Sequence, residues 1–311
     1  MFNVSSFLMS VICAGTPLLF ATLGETITEK AGHLNLGVEG MMLMGAAVGF
    51  KVAEITKNPL LAVLSAAIAG ALGALIYAFL TVTLKANQVV SGLTLAIFGE
   101  GLSGYVGSFV KIKVVPDQIK SFFVGRHIPL LGDIPYVGAI LFERDLFVYL
   151  GYIVVIIAGI YLYKTRTGLN LRAVGENPAA ADASGINISL YKYIHILIGG
   201  ALCGLGGAYM SLVYVGQWTE GITSGQGWIA VALVIFTTWN PYKVILGAYF
   251  FGGLSILGLR LQNFKFNVSQ DIIDMLPYVA TIIVLIVTSM KKSKENAGPA
   301  GLSVPYFRED R

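Results

Sequence analysis

The feature of this sequence that most constrains its fold is a series of apolar runs, each about 17 residues or longer, along the whole chain. A helix of about 20 apolar residues crosses the hydrocarbon core of a bilayer, so the runs predict transmembrane α-helices. Of the 311 residues, 56% are hydrophobic and only 12% are charged. The sequence therefore predicts an all-α polytopic membrane protein that forms a single transmembrane domain over residues 1–311.

The apolar runs divide into about nine candidate spans, with eight to ten as the range. They cover residues 7–24, 36–52, 59–84, 88–110, 146–163, 191–213, 226–239, 243–261 and 272–290. The second and seventh are short and rich in Gly or polar residues. One or both are therefore predicted to be broken or re-entrant helices, which are tolerated where the backbone is buried in protein or lines a cavity.

The distribution of Lys and Arg predicts the orientation, because cytoplasmic loops carry more of these residues than outer loops. With the C-terminus inside, the polar segment 164–190 is a cytoplasmic loop and residues 291–311 are a cytoplasmic tail. The long segment 111–145 is then an extracytoplasmic loop. The net charge of +4 follows from this topology and gives no reason to expect a nucleic-acid partner.

Motifs for nucleotide, metal or redox chemistry are not found in the sequence. It has no G-x-x-x-x-G-K-[ST] phosphate loop, no H-E-x-x-H and no Cys/His cluster, so the chain is predicted to be non-catalytic, without cofactor or metal. Residues 99–104 match the dinucleotide fingerprint G-x-G-x-x-G, but they lie inside an apolar span without βαβ context. Residues 45–49 and 200–204 carry small residues four apart, a spacing typical of close helix contacts.

Polar residues inside the predicted membrane region form two groups. Asn35 and Glu39 stand at the second span, four residues apart, and would share one face if that segment is helical. Asn87 and Ser91 stand at the start of the fourth span, and Glu100 lies within it. Because charges are costly at the bilayer centre, Glu39 and Glu100 are expected to face the bundle interior or a water path. Two interpretations stay open: these groups line a translocation path, or they cap half-helices and hydrogen-bond across helices.

The polar segment in the middle of the chain contains a short helix signal. Asn177 is a good N-cap, Pro178 suits the first helical position, and Gly185 suits the C-terminal end, which predicts a helix of about two turns. Its face offers Ala, whereas a helix lying on a membrane surface needs Trp, Phe or Leu. The sequence therefore favours a helix that docks into a groove on a partner protein over a connecting helix on the membrane surface.

Three stretches, 25–42, 172–185 and 227–241, resemble the permease subunits of ABC importers in the branched-chain amino acid and ribose permease superfamily. The resemblance is greatest to the nucleoside and simple-sugar branch that works with basic-membrane-protein lipoproteins, and it covers nearly the whole chain. It implies that the central helix is the coupling helix that contacts the ATP-binding subunit. The coupling residues would be Arg172, Gly175, Glu176, Asn177, Pro178, Ala180, Ala181 and Gly185.

The resemblance also implies the partners and the location. They are an ABC ATP-binding subunit, a second homologous permease chain and an extracytoplasmic substrate-binding lipoprotein, assembled in the cytoplasmic membrane of a prokaryote. The implied function is translocation of nucleosides by alternating access, with pentoses or hexoses as the alternative cargo. Asn35, Glu39, Asn87, Ser91 and Glu100 are the candidate path residues.

Two other functions are weighed against this one. A secondary carrier would couple transport to protons through Glu39 and Glu100. A membrane-embedded enzyme would need a nucleophile with a base and an orienting group, a combination that the sequence does not suggest.

Overall fold

The computed structural model describes residues 4–127, 138, 142–261, 275–290 and 297–307. Its helices are α1 (Val4–Lys30), α2 (Val38–Thr56), α3 (Pro59–Ala78), α4 (Gln88–Ser108), α5 (Asp117–Phe123), α6 (Leu146–Lys164), α7 (Arg166–Glu176), α8 (Pro178–Ala183), α9 (Ile188–Tyr209), α10 (Gln226–Phe236), α11 (Pro241–Leu261) and α12 (Leu276–Met290). One π-helical turn extends α3 (Phe79–Thr83) and another extends α9 (Met210–Tyr214). The strands β1 (Arg126–His127) and β2 (Glu143–Arg144) form a short antiparallel pair in the 111–145 segment.

Each of the nine predicted spans coincides with a helix, and the all-α membrane fold is confirmed. Within the described residues, five of these helices are long and apolar enough to cross a membrane: α1, α3 with its π turn, α4, α6, and α9 with its π turn. The other four spans correspond to α2, α10, α11 and α12. The first residues of the ninth span, and residues 291–296 and 308–311 of the predicted tail, lie outside the described residues.

The second predicted span is not broken. Helix α2 is continuous over 19 residues, and the non-helical backbone precedes it at residues 31–37. Glu39 lies in the first turn of α2, and the other polar residues at the start of this span belong to the connecting segment or to the end of α1, which continues to Lys30. Glu25, Glu29 and His33 in these two segments are buried inside the protein.

Helix α10 is the short helix predicted for the seventh span. It has 11 residues, about 16 Å at 1.5 Å per residue, which is about half the thickness of a bilayer core. It begins after Gly225, whose φ is 81°, and it is followed by two left-handed residues, Thr238 and Trp239, with φ of 53° and 52°. These positive φ angles turn the chain sharply at both ends, so α10 has the length and boundaries of a half-helix.

Small residues bring the helices of the bundle into backbone contact. A Cβ added to Gly45 of α2 would overlap the backbone of Gly204 in α9, and one added to Gly204 would overlap Ala66 in α3. The predicted small-residue faces at 45–49 and 200–204 therefore meet at the centre of the bundle. Gly99 packs in the same way on Gly40 of α2, whereas a Cβ added to Gly101 or Gly104 would meet no atom within 4 Å.

The described tail lies at the same end of the molecule as α7 and α8. The N–H of Gly301 donates to the Gly175 carbonyl at 2.9 Å, and Tyr306 Oη donates to Asp182 Oδ2 at 2.8 Å. The N–H of Ser303 donates to the Gly32 carbonyl at 3.3 Å. Residues 297–307 thus join the α7–α8 region to the segment between α1 and α2.

Candidate translocation path and docking helix

The carboxylate of Glu39 caps the N-terminus of the half-helix α10. Its Oε1 accepts from Thr223 Oγ1 at 2.6 Å and from the Gly225 N–H at 2.9 Å, and its Oε2 accepts from the Gly227 N–H at 2.6 Å. The residue is 8% exposed. A negative charge is favourable at a helix N-terminus, where backbone N–H groups have no intrahelical partner. The geometry is that of a cap between helices, and direct contact of Glu39 with a substrate stays a prediction.

Asn35 does not share a helical face with Glu39, because it lies in the non-helical segment before α2. Its N–H donates to Glu25 Oε1 at 2.8 Å, and its Oδ1 accepts from the Gly37 N–H at 2.9 Å. The residue is fully buried. Asn35 therefore holds residues 31–37 against α1, and the shared face predicted from the i, i+4 spacing does not form.

The C-terminal end of α10 is held by a second carboxylate. The indole N–H of Trp239 donates to Glu29 Oε2 near the end of α1. Trp239 is buried, and it packs against Gly298 of the tail, where an added Cβ would come within 2.7 Å of the ring. Glu29 and Glu39 thus hold the two ends of the half-helix. The sequence drew attention to Glu39, but no sequence signal pointed to Thr223 as its partner or to the pairing of Trp239 with Glu29.

The start of α4 separates the two polar residues predicted there. Asn87 is exposed, and its Oδ1 accepts from the Val90 N–H at 3.0 Å as the N-cap of α4. Ser91, four residues further along, is buried next to Gly92, where an added Cβ would come within 2.6 Å of the Leu36 backbone nitrogen. Asn87 therefore begins the helix, and the Ser91 region packs on the segment before α2.

Glu100 does not face the interior of this chain. It is exposed on α4, on the same side as Ile97 and Tyr105, which are 72% and 65% exposed. The buried side of α4 is formed mainly by small residues, among them Gly92, Ala96, Gly99 and Ser103, together with Gln88 and Leu95. A carboxylate in the middle of a membrane helix is costly against lipid. This face of α4 is therefore expected to meet water or another protein.

The short helix predicted after Asn177 forms and is α8. Asn177 Oδ1 accepts from the Ala180 N–H at 3.0 Å, Pro178 is the first helical residue, and Gly185 follows the end with φ of 82°. Its outer side is a smooth alanine face, formed by Ala179, Ala180 and Ala183. Ala181 is 3% exposed and lies on the side of α8 that packs against the rest of the protein. Of the predicted coupling residues, Ala180 is thus available to a partner, and Ala181 anchors the helix.

The remaining predicted coupling residues lie on α7. Gly175 packs so closely on α1 that a Cβ there would overlap the Lys30 carbonyl oxygen. Glu176 is exposed, and its Oε2 accepts from the Ala300 N–H at 3.1 Å. The Arg172 guanidinium lies 5.5 Å from the centre of the Tyr163 ring. Helix α7 therefore connects α8 to the transmembrane bundle and to the tail.

In the described part of the chain, no group of three or more His, Cys, Asp or Glu side chains could hold a metal ion. Cys13 and Cys203 are free cysteines.

Comparison with known proteins gives relatives over almost the whole chain. Residues 7–285 match the family described as the permease component of branched-chain amino acid transport systems. TsgC13 of Haloferax volcanii, whose assigned name is that of a glucose ABC transporter permease, is 37% identical over 98% of this chain and 98% of its own. The nucleoside ABC transporter permease NupC of Lactococcus lactis is 35% identical over 89% of this chain and 90% of its own. The guanosine ABC transporter permease NupQ of Bacillus subtilis is 35% identical over 98% of both chains.

Among solved structures, a transporter assigned to the metal-chelate type of ABC transporter, in an inward-facing conformation, has a similar fold. Its TM-score is 0.50 and its sequence identity 13%, over 92% of this chain and 85% of that one. This likeness concerns the fold alone.

Proposed function

Because this chain belongs to the permease family of branched-chain amino acid transport systems, we propose that it is the transmembrane subunit of an ABC importer that carries nucleosides. Pentoses or hexoses are the alternative cargo. The chain works in the cytoplasmic membrane of a prokaryote. Its partners are a separate ATP-binding subunit, a second homologous permease chain and a substrate-binding lipoprotein outside the membrane.

The alanine face of α8 is the observation that carries this proposal. Ala179, Ala180 and Ala183 are exposed at the end of the molecule that the distribution of Lys and Arg assigns to the cytoplasm. A face of methyl groups lets a partner approach closely, and the Asn177 cap and the buried Ala181 keep the helix in place. The ATP-binding subunit docks on this face, and its movement on ATP binding shifts α8.

The translocation path follows from the exposed face of α4. The second permease chain lies opposite this face, and Glu100 meets the water-filled space between the two chains. Glu39, which is not part of this surface, joins α2 to α10 through its hydrogen bonds. When α8 moves, the rigid bundle of each chain turns and opens the path to one side of the membrane at a time.

Nucleosides are favoured as cargo because two of the similar proteins, NupC and NupQ, carry nucleoside or guanosine in their names. TsgC13 carries the name of a glucose transporter, so a sugar is the second candidate. Both cargo classes are uncharged and rich in hydroxyl groups. A carboxylate such as Glu100 can accept hydrogen bonds from such hydroxyl groups.

The proton-coupled carrier is less well supported. Both carboxylate oxygens of Glu39 accept hydrogen bonds, from Thr223, Gly225 and Gly227, so the side chain is held in a fixed position at the N-terminus of α10. The same residue serves the ABC permease as a fixed support. Of the two acids considered for proton coupling, Glu39 and Glu100, only Glu100 would then be available to a carrier.

The test is uptake by the reconstituted complex. Proteoliposomes that contain this chain, the second permease and the ATP-binding subunit are supplied with the lipoprotein and with radiolabelled guanosine or glucose. Uptake that requires ATP and favours guanosine supports the proposal, and ATP-dependent uptake of glucose alone selects the sugar alternative. Transport by this chain alone in a proton gradient, without the ATP-binding subunit, would overturn it.

A further inference from the structure

A cavity of about 410 Å³, here named the basic pocket, lies between the ends of α1, α6 and α7 and the turn before α11. Its lining includes three cationic side chains, Lys30, Arg172 and Lys243, together with Tyr163 and Glu176. These residues come from separate elements, so the fold brings the cations together. No contact with the α4 face is involved, and the basic pocket is separate from the proposed path.

The three cations of the basic pocket form no salt bridge within the described residues. The ion pair found among the described residues joins Lys51 and Glu54, which do not line the basic pocket. Lys30, Arg172 and Lys243 have no carboxylate oxygen within 4.0 Å of their side-chain nitrogens. Lys243 Nζ donates to the neutral Thr238 Oγ1 at 2.9 Å. Three cations and one carboxylate leave a net positive charge that a bound anion would neutralise.

Two details point to a ligand that fills this space. The buried Nε of Arg172 has no hydrogen-bond partner among the described residues, although buried polar groups are nearly always paired. The Glu176 carboxylate interacts electrostatically with Lys30 without forming a salt bridge, and its Oε2 accepts from the Ala300 N–H. The basic pocket therefore keeps unused donors, which is the chemistry of a phosphate site.

The basic pocket also opens at the edge of a surface that suits acyl chains. The outward side of α6 is a row of exposed isoleucines, Ile153, Ile156, Ile157 and Ile160. Tyr163 continues this side by one helical turn and lines the basic pocket, and it stacks on Tyr242 with ring centres 6.4 Å apart. Tyrosine is enriched at the boundary between hydrocarbon and headgroups. An apolar row thus leads directly to a cationic cavity at the depth of the lipid headgroups.

We propose that the basic pocket binds the phosphate headgroup of an anionic phospholipid from the cytoplasmic leaflet, with its acyl chains along the isoleucines of α6. The proposal rests on the cytoplasmic orientation of this end and is independent of the cargo. Basic pockets between transmembrane helices on the cytoplasmic side suit such headgroups. The lipid ties α6 and α7 to the turn before α11, and so the anionic lipid content of the membrane sets the stability of the region that carries α8.

Lipid retention by the purified full-length chain tests this proposal. The chain is titrated with phosphatidylglycerol or with phosphatidylcholine of the same acyl chains, and bound lipid is counted by native mass spectrometry. We expect one phosphatidylglycerol to bind in preference to phosphatidylcholine. Lys243→Gln weakens this binding by about five-fold, the factor that corresponds to about 1 kcal/mol for one basic residue near an anionic surface.

Lys164→Gln is the matched control, because Lys164 is exposed at the same boundary, next to Tyr163, and does not line the basic pocket. It should bind phosphatidylglycerol as the wild type does. Equal loss in both variants would mean general surface attraction and would overturn the proposal. Displacement of the lipid by millimolar inorganic phosphate would assign the site to a soluble anion. Loss of ATP-binding subunit from Lys243→Gln, with lipid binding unchanged, would assign it to protein docking.

Discussion

The Glu39 carboxylate accepts the backbone N–H of Gly227 at 2.6 Å, so a side chain on α2 closes the N-terminus of a half-helix that lies 188 residues further along the chain. At the other end, Trp239 donates to Glu29 and packs on Gly298 of the tail. The tail in turn is bonded to α7 through Gly301. These contacts form a continuous physical connection from the α7–α8 region to the half-helix α10.

Glu39→Gln should lower the stability of the protein and reduce uptake. The amide offers only one acceptor oxygen and turns an N–H₂ group towards backbone donors, so at least one buried donor loses its partner. A hydrogen bond to a charged group contributes about 1.5–3 kcal/mol, and the thermal unfolding midpoint of the detergent-purified chain should fall accordingly. An unchanged midpoint with normal uptake would show that the cap is not required. Reduced uptake at unchanged stability would favour direct contact with the path.

Trp239→Phe should destabilise the C-terminal end of α10. Phenylalanine keeps the ring against Gly298 but lacks the N–H that Glu29 accepts, which leaves a buried carboxylate without that donor. An unsatisfied buried group costs about 1–3 kcal/mol. Trp228→Phe is the control, because Trp228 is exposed on the same short helix. Hydrogen exchange of the α10 amides should increase in Trp239→Phe only, and equal exchange in both variants would contradict the prediction.

Glu100→Gln should leave the chain folded and lower transport. The side chain is exposed and is not needed for packing within this chain, so the free energy of unfolding should stay within about 0.5 kcal/mol of the wild type. If Glu100 meets the path, loss of its charge lowers ATP-driven uptake by the reconstituted complex. The measurement is uptake per assembled complex. Full uptake would show that Glu100 does not line the path. The α4 face would then be expected to contact another protein surface.

Ala180→Arg and Ala181→Arg should separate docking from folding. Ala180 is exposed on the alanine face, so an Arg there blocks close approach of the ATP-binding subunit while the permease folds normally. Ala181 is buried, and overpacking there costs about 1–3 kcal/mol, with a further cost for a buried charge, so Ala181→Arg unfolds the α7–α8 region. Co-purification of the ATP-binding subunit and the unfolding midpoint are measured for both variants. Ala180→Arg that retains the subunit and transports normally would make α8 a connector and refute the docking proposal.

Ala183→Arg is a second probe of the same face, because Ala183 is also exposed. It should release the ATP-binding subunit as Ala180→Arg does. Release by one variant alone would narrow the docking surface to one side of α8.

The parts of this protein that were predicted well depend on residues close together in sequence. Helix α8 follows from Asn177, Pro178 and Gly185, which act within nine residues through a cap, a fixed φ and a tolerated left-handed turn. The nine helical segments follow from apolar runs, because a membrane accepts helices of that length and composition whatever they pack against. The small residues at Gly45 and Gly204 predicted close contact in the same way.

The directions of the polar side chains were decided only by the tertiary structure. Glu39 and Glu100 are both acids within apolar stretches, and the sequence treats them alike. One caps α10 because Thr223 and Gly227 are brought to it from 184 and 188 residues away, and the other is exposed because smaller residues fill the packed side of α4. The insertion cost of a charge requires only that it finds a polar partner, water or a protein surface. Which of these it meets depends on how the helices pack, and a single helix does not contain that information.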